Sequence, residues 1–111
     1  MSARSETLMW LAQRLSAMVL APLVMVHIVT IIYAIRGGLS AQEILARTQG
    51  SLVWGSLYTV FVLAAAVHGS IGLRTVIREM TPWRGRSLEL AMAAFAALLV
   101  LMGLRAVQAI T

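Results

Sequence analysis

The sequence predicts an all-α membrane protein: three transmembrane helices, N-in and C-out, with a short interfacial helix in the first loop. Three observations predict it. First, 60% of the 111 residues are hydrophobic and mean hydropathy is +0.89, whereas a soluble domain is usually near half apolar. Second, the excess is gathered in three blocks, and the uncharged run 50–73 alone exceeds the ~20 residues that cross a bilayer. Third, all nine basic residues are arginine and they flank those blocks, as the positive-inside rule expects. The whole chain, 1–111, reads as a single three-helix domain.

The same composition excludes other classes. A net charge of +5 and a pI near 11.5 would suit nucleic acid, but the arginines form no basic face with stacking aromatics. With no cysteine, disulfides, zinc thiolates and cysteine-ligated iron–sulfur clusters are ruled out. The first apolar run, 15–35, exceeds the h-region of a signal peptide and lacks a clear small-residue cleavage site, so it reads as a retained span.

Helix I is expected over about 8–35, behind a short polar arm ending at Glu6. Gln13 and Arg14 mark its cytoplasmic mouth, where arginine snorkels to the headgroups. Pro22 removes one backbone donor mid-helix and predicts a modest kink. Arg36-Gly37-Gly38 ends the span. In the loop, Ser40-Ala41-Gln42-Glu43 fits a capping box, with Leu39 and Ile44 spaced as its hydrophobic staple. A short surface helix over about 41–48 follows. Helix II is expected over about 51–79, with Trp54 and Tyr58 in an interfacial aromatic belt and Thr81-Pro82 as its stop. Helix III is expected over about 87–109, with an alanine- and leucine-rich core that carries no polar site.

Arginine counts set the orientation. Arg4, Arg14, Arg74, Arg78, Arg84 and Arg86 fall on the N-terminal side, against Arg36, Arg47 and Arg105 on the other, which favours N-in. Three spans enclose little by themselves, so a partner is expected.

Two ionisable residues lie within the apolar runs, His27 and His68. A histidine held in a bilayer costs free energy unless something binds it, and marks a functional site by default. His68 is six residues from Arg74, ~9 Å along the helix, and His27 is thirteen residues from Arg14, ~20 Å. They therefore sit at depths ~10 Å apart and are poorly placed to share one metal. Two sites, each completed by another chain, fit better. On helix II, Phe61, Ala65, His68, Gly72 and Thr75 share a stripe; on helix I, Ser16, Leu20, Leu23, His27 and Ile31 do. Gly72, one turn from His68, leaves room for a flat macrocycle. Apolar walls with one imidazole per helix are what a bis-histidine haem b in a bundle needs. Arg74 and Arg78 are near enough to pair with its propionates. The same histidines also suit plain hydrogen bonding between helices, and Gly69 and Gly72 suit plain helix packing.

Gln13-Arg14-Leu15-Ser16-Ala17, followed by His27, resembles the helix that opens each anchor unit of succinate dehydrogenases and fumarate reductases, whose pattern is Arg-x-Ser-Gly. His68-Gly69-Ser70-Ile71-Gly72-Leu73-Arg74 resembles that family's His-x-x-x-Gly-x-Arg, and Gly103-Leu104-Arg105-Ala106 resembles the end of its di-haem, single-chain anchors. The match covers nearly the whole chain as one three-helix unit. It implies a multi-pass anchor of the bacterial cytoplasmic membrane that binds haem b and quinone and docks the flavoprotein and iron–sulfur subunits. His68 matches the widely shared haem ligand, and His27 a ligand of di-haem versions in which two three-helix units face each other. This chain would be half of such an anchor, completed by a copy of itself or a sister subunit. Arg14 and Ser16 match the segment associated with the quinone pocket in some members. Two residues depart from the pattern: Ala17 replaces a glycine, and Glu79-Met80 stands where single-haem members often carry Asp-Tyr, a pair tied to quinone binding.

The resemblance implies electron transfer between succinate or fumarate chemistry in other subunits and a membrane quinone, with none of the succinate chemistry here. Arg14 would neutralise or hydrogen-bond a quinone oxygen and Ser16 would donate a second bond. Two other classes remain open on the residues. A dimeric proton-coupled transporter would need a central carboxylate, and Glu6, Glu43, Glu79 and Glu89 are all peripheral. A haem-free anchor would use both histidines for packing only.

Overall fold

A computed structural model describes residues 2–111. Four helices run through it: α1 (Ala3–Arg36), α2 (Ala41–Thr48), α3 (Leu52–Met80) and α4 (Arg86–Ile110). α1, α3 and α4 are each long and apolar enough to cross a membrane. α3 is the central helix, packed against α1 on one side and α4 on the other. With 34 residues, α1 is about 51 Å long, well beyond the ~30 Å hydrocarbon core, so both of its ends reach the headgroup zones.

Each expected helix has a counterpart in α1 to α4, with differences at the ends. α1 begins at Ala3 rather than near residue 8, because Ser2 caps it by accepting the Ser5 amide at 3.2 Å. Ala3 to Glu6 of the expected polar arm thus form about the first turn of the helix. Helix α1 continues through Pro22. It ends in a Schellman motif: Leu39 N–H bonds the Ala34 carbonyl at 3.0 Å, Gly38 N–H bonds that of Ile35 at 3.1 Å, and Gly38 takes φ +62°. α2 has the expected capping box, Glu43 N–H to Ser40 Oγ at 3.2 Å and Ser40 N–H to Glu43 Oε1 at 3.3 Å. Ser51 caps α3 through the Trp54 amide at 3.2 Å. α3 and α4 each extend a residue or so beyond the expected C-termini, to Met80 and Ile110.

Close contacts fix how the helices pack. An added Cβ on Gly103 would come 2.9 Å from Val62 Cγ2 and closer still to Cγ1, so α4 can approach α3 there only because residue 103 is glycine. Gly69 faces Leu99 of α4, while Gly72 faces the Gln13 amide of α1. The room expected beside Gly72 is therefore taken by a side chain of this same chain.

Polar contacts gather the connections at two ends. At one, Glu6 meets Arg74 and Arg78. At the other, the turn after α2 closes the end of α4: Thr48 Oγ1 donates to the Ile110 carbonyl at 2.5 Å and Gly50 N–H to that of Thr111 at 2.8 Å. These bonds satisfy carbonyls that a helix end leaves without partners. Very little of the chain is buried. Ala66, Leu88 and Val107 make up the apolar core, while large apolar side chains such as Val29, Ile32, Leu63 and Leu101 lie outside. A surface this apolar suits lipid or another membrane chain, not water.

Candidate functional site

The seam between α1 and α3 carries both histidines. The helices run antiparallel, so Gln13 meets Gly72 while His27 meets Tyr58 and Phe61. His68 lies seven residues beyond Phe61, about 10 Å along the axis. The two imidazoles thus stand at different heights, as their spacing in the sequence implies. The stripe on α1 drifts from the expected one at its end. Ser16, Leu20, Leu23 and His27 face inward, but Thr30 and Ala34 continue the face and Ile31 is 43% exposed. Continuing at i+3 and i+7 from His27 is what a 3.6-residue period dictates.

Each histidine is half-buried, and in each the Nδ1 atom is sealed from solvent with no hydrogen-bond partner. Among the described residues, these two Nδ1 atoms are the ring nitrogens that are both sealed and unbonded. The His27 ring is held edge-on by Phe61 at 5.2 Å and Tyr58 at 5.9 Å. It also lines a cavity of about 240 Å³ beneath α2, walled by Tyr33, Ile44, Trp54 and Tyr58. Arg47 closes the rim, donating to the Tyr33 hydroxyl at 3.1 Å and lying over its ring at 5.4 Å. Leu39 and Ile44, the expected staple pair, both line this cavity.

Arg74 is at the opposite end, 5% exposed in spite of its charge. Its Nε donates to Glu89 Oε1 of α4 at 2.7 Å, and its Nη2 lies 3.5 Å from Glu6 Oε1 of α1. Arg78 shares the same Glu6 oxygen at 3.3 Å. One guanidinium thereby joins all three spans, which offsets its desolvation. Arg84 closes the turn after α3 by donating to the carbonyls of Arg78, Thr81 and Trp83. Haem propionates at this end would share Arg74 and Arg78 with carboxylates already in place. In the sequence Glu6 and Glu89 are peripheral, Glu6 in the expected polar arm and Glu89 near the start of helix III; the fold places both in first helical turns and pairs them with Arg74 over long range.

The residues singled out for quinone lie on two faces. Ser16 is 7% exposed and its hydroxyl donates to the Gln13 carbonyl at 3.0 Å. Arg14 is exposed and lies over the Trp10 ring at 5.1 Å. Neither lines the nearby cavity of about 390 Å³ between α1 and α3, whose walls include Trp10, Gln13, Gly72 and Arg74. Gln13, which in the sequence marks the helix mouth and opens the Gln13-to-Ala17 segment, has its Oε1 sealed and unbonded. Among the described residues, no three His, Cys, Asp or Glu side chains converge into a metal cage; the two histidines stand singly, each able to give one ligand.

The family model of the succinate dehydrogenase/fumarate reductase transmembrane subunit matches residues 1–104. No curated protein matched, and no solved structure did. With three membrane-spanning helices and a match over nearly its full length, this multi-pass chain belongs to the succinate dehydrogenase/fumarate reductase transmembrane subunit family, whose cytochrome b-type members associate with the other subunits of those complexes.

Proposed function

We propose that this chain is the membrane anchor of a succinate:quinone oxidoreductase, or of a quinol:fumarate reductase built from the same parts. It holds haem b, binds quinone and docks the iron–sulfur and flavoprotein subunits on the side where the N-terminus lies. The observation that carries this reading is the pair of sealed, unbonded Nδ1 atoms on imidazoles set in membrane spans. With Nδ1 sealed, Nε2 is the nitrogen that each ring can offer to an iron, and ligation there would give a costly buried imidazole its reason to be in the membrane.

His68 and His27 are the axial ligands, one per height. Because they stand about 10 Å apart along the helix axis, each needs a facing imidazole from a second anchor unit, identical or sister. Haem held in this way supplies one-electron storage and relay. Arg78, with 36% of its side chain exposed, is the better placed of the two arginines to receive a propionate; Arg74 contributes positive charge from beneath. Arg14 and Ser16 line the approach of the quinone from the same side. Arg14 reaches a ring oxygen from the rim; Ser16, whose hydrogen is used within α1, does not donate the second bond expected of it and can only accept from a quinol hydroxyl. The bulk of the arginine lies at the end that carries Glu6, Arg74 and Arg78, which makes that end the cytoplasmic one.

The test is a dithionite-reduced minus oxidised spectrum of the purified complex. A b-type absorbance is expected in the wild type and is lost or halved in His68→Ala. A complex with wild-type subunits and no chromophore refutes the haem assignment and leaves an anchor whose histidines only pack.

A further inference from the structure

One polar group at the α1–α3 seam has no role in the reading above. Gln13 projects its amide against Gly72, with Nε2 3.4 Å from where a Cβ would stand. Its Oε1 is sealed and has no hydrogen-bond partner. An amide oxygen in that position costs free energy that a methionine or leucine of similar size would avoid. Packing against a glycine does not need an amide. The cavity it lines, about 390 Å³, has the Trp10 indole as one wall and Gly72 as another, with buried Arg74 at its floor. A flat indole wall and an amide with an uncommitted oxygen, seated against Gly72, line a cavity that suits a planar ring carrying oxygen.

We propose that Gln13 is the residue that holds the quinone ring in both of its oxidation states. This rests on the proposed quinone function of the anchor and names a residue that the family motif does not. The chemistry is specific to a carboxamide. It carries two N–H donors and a carbonyl acceptor on one planar group. A quinone oxygen only accepts, so Gln13 donates Nε2–H to it. A quinol hydroxyl also donates, and rotation of the amide about its last torsion turns Oε1 toward that hydrogen. The amide itself gains and loses no proton and no electron. Arg14, on the exposed face, steers the ring to the rim, and Gln13 receives it inside. Arginine can only donate, so it favours the oxidised ring; the amide serves both.

The experiment uses the complete, purified complex. Gln13→Met keeps the bulk against Gly72 and removes both hydrogen-bonding functions; Gln13→His restores one donor and one acceptor. In Gln13→Met, KM for a short-chain quinone is expected to rise about tenfold, the worth of one hydrogen bond. Quinone co-purifying with the complex, measured by solvent extraction, should fall to a small fraction of the wild-type content. Succinate oxidation with a soluble acceptor should be unchanged, and Gln13→His should recover most of both losses. Wild-type KM and quinone content in Gln13→Met, in a complex where Arg14→Leu impairs quinone reduction, would overturn the role of Gln13 and spare the quinone function. A wild-type complex that neither retains nor reduces quinone would overturn the function itself, and this proposal with it.

Discussion

Arg74 and Arg78 are one turn apart on α3, yet their surroundings predict different consequences of losing them. Arg74 is buried and touches carboxylates from both other spans. Arg74→Leu leaves Glu6 and Glu89 facing an apolar seam. Breaking a fully buried pair costs about 3–5 kcal/mol; since both carboxylates keep some solvent contact, about 2 kcal/mol is expected. Arg78→Leu removes a half-exposed pair worth under about 1 kcal/mol. Thermal unfolding in detergent should show a clear drop for the first and almost none for the second. At this scale the histidines were legible in the sequence, because a titratable residue inside an uncharged run stands out whatever its neighbours. The arginine cluster was legible only as charge. Glu89 lies fifteen residues from Arg74 and Glu6 much farther, and nothing local relates them. Gln13 was missed because its significance is an absence of partners, which only packing reveals.

Elements were most readable where a short local code acts. Four residues, Ser40 to Glu43, specify where α2 starts, and Gly38 specifies where α1 stops. Ser40→Ala should cost about 1 kcal/mol of local stability and appear as faster hydrogen exchange in the first turn of α2, with the spans unaffected. The start of α1 was less readable. Hydropathy fades before residue 8, but a capped turn needs no lipid, and Ser2 supplies the cap. The seam between α3 and α4 depends on Gly103. Gly103→Leu drives a side chain into Val62 and is expected to cost about 1–3 kcal/mol. Gly72→Ala meets only the flexible end of Gln13 and should be mild for stability. Melting temperatures of the two variants, compared in the same detergent, check the contrast.

The whole molecule has a broad apolar exterior and almost no interior. Within α1 the buried residue is Ser16, and its most apolar 18 residues have none, so its stability as a unit depends on what lies around it. With imidazoles at two heights, two facing anchor units would hold two haems between them. His27→Ala should then halve the ratio of haem to anchor chain, as measured by pyridine haemochrome against subunit staining, and an unchanged ratio would remove His27 from the ligand set. The capping of α4 by the turn after α2 has a consequence for biogenesis. As the chain leaves the ribosome, residues 48–50 emerge about sixty positions ahead of the carbonyls they will bond. The first hairpin can therefore enter the translocon and reach the bilayer, but the loop between α1 and α3 cannot lock until the last turn of α4 has been made. The outermost contact of the first loop is therefore made only after α4 has been synthesised.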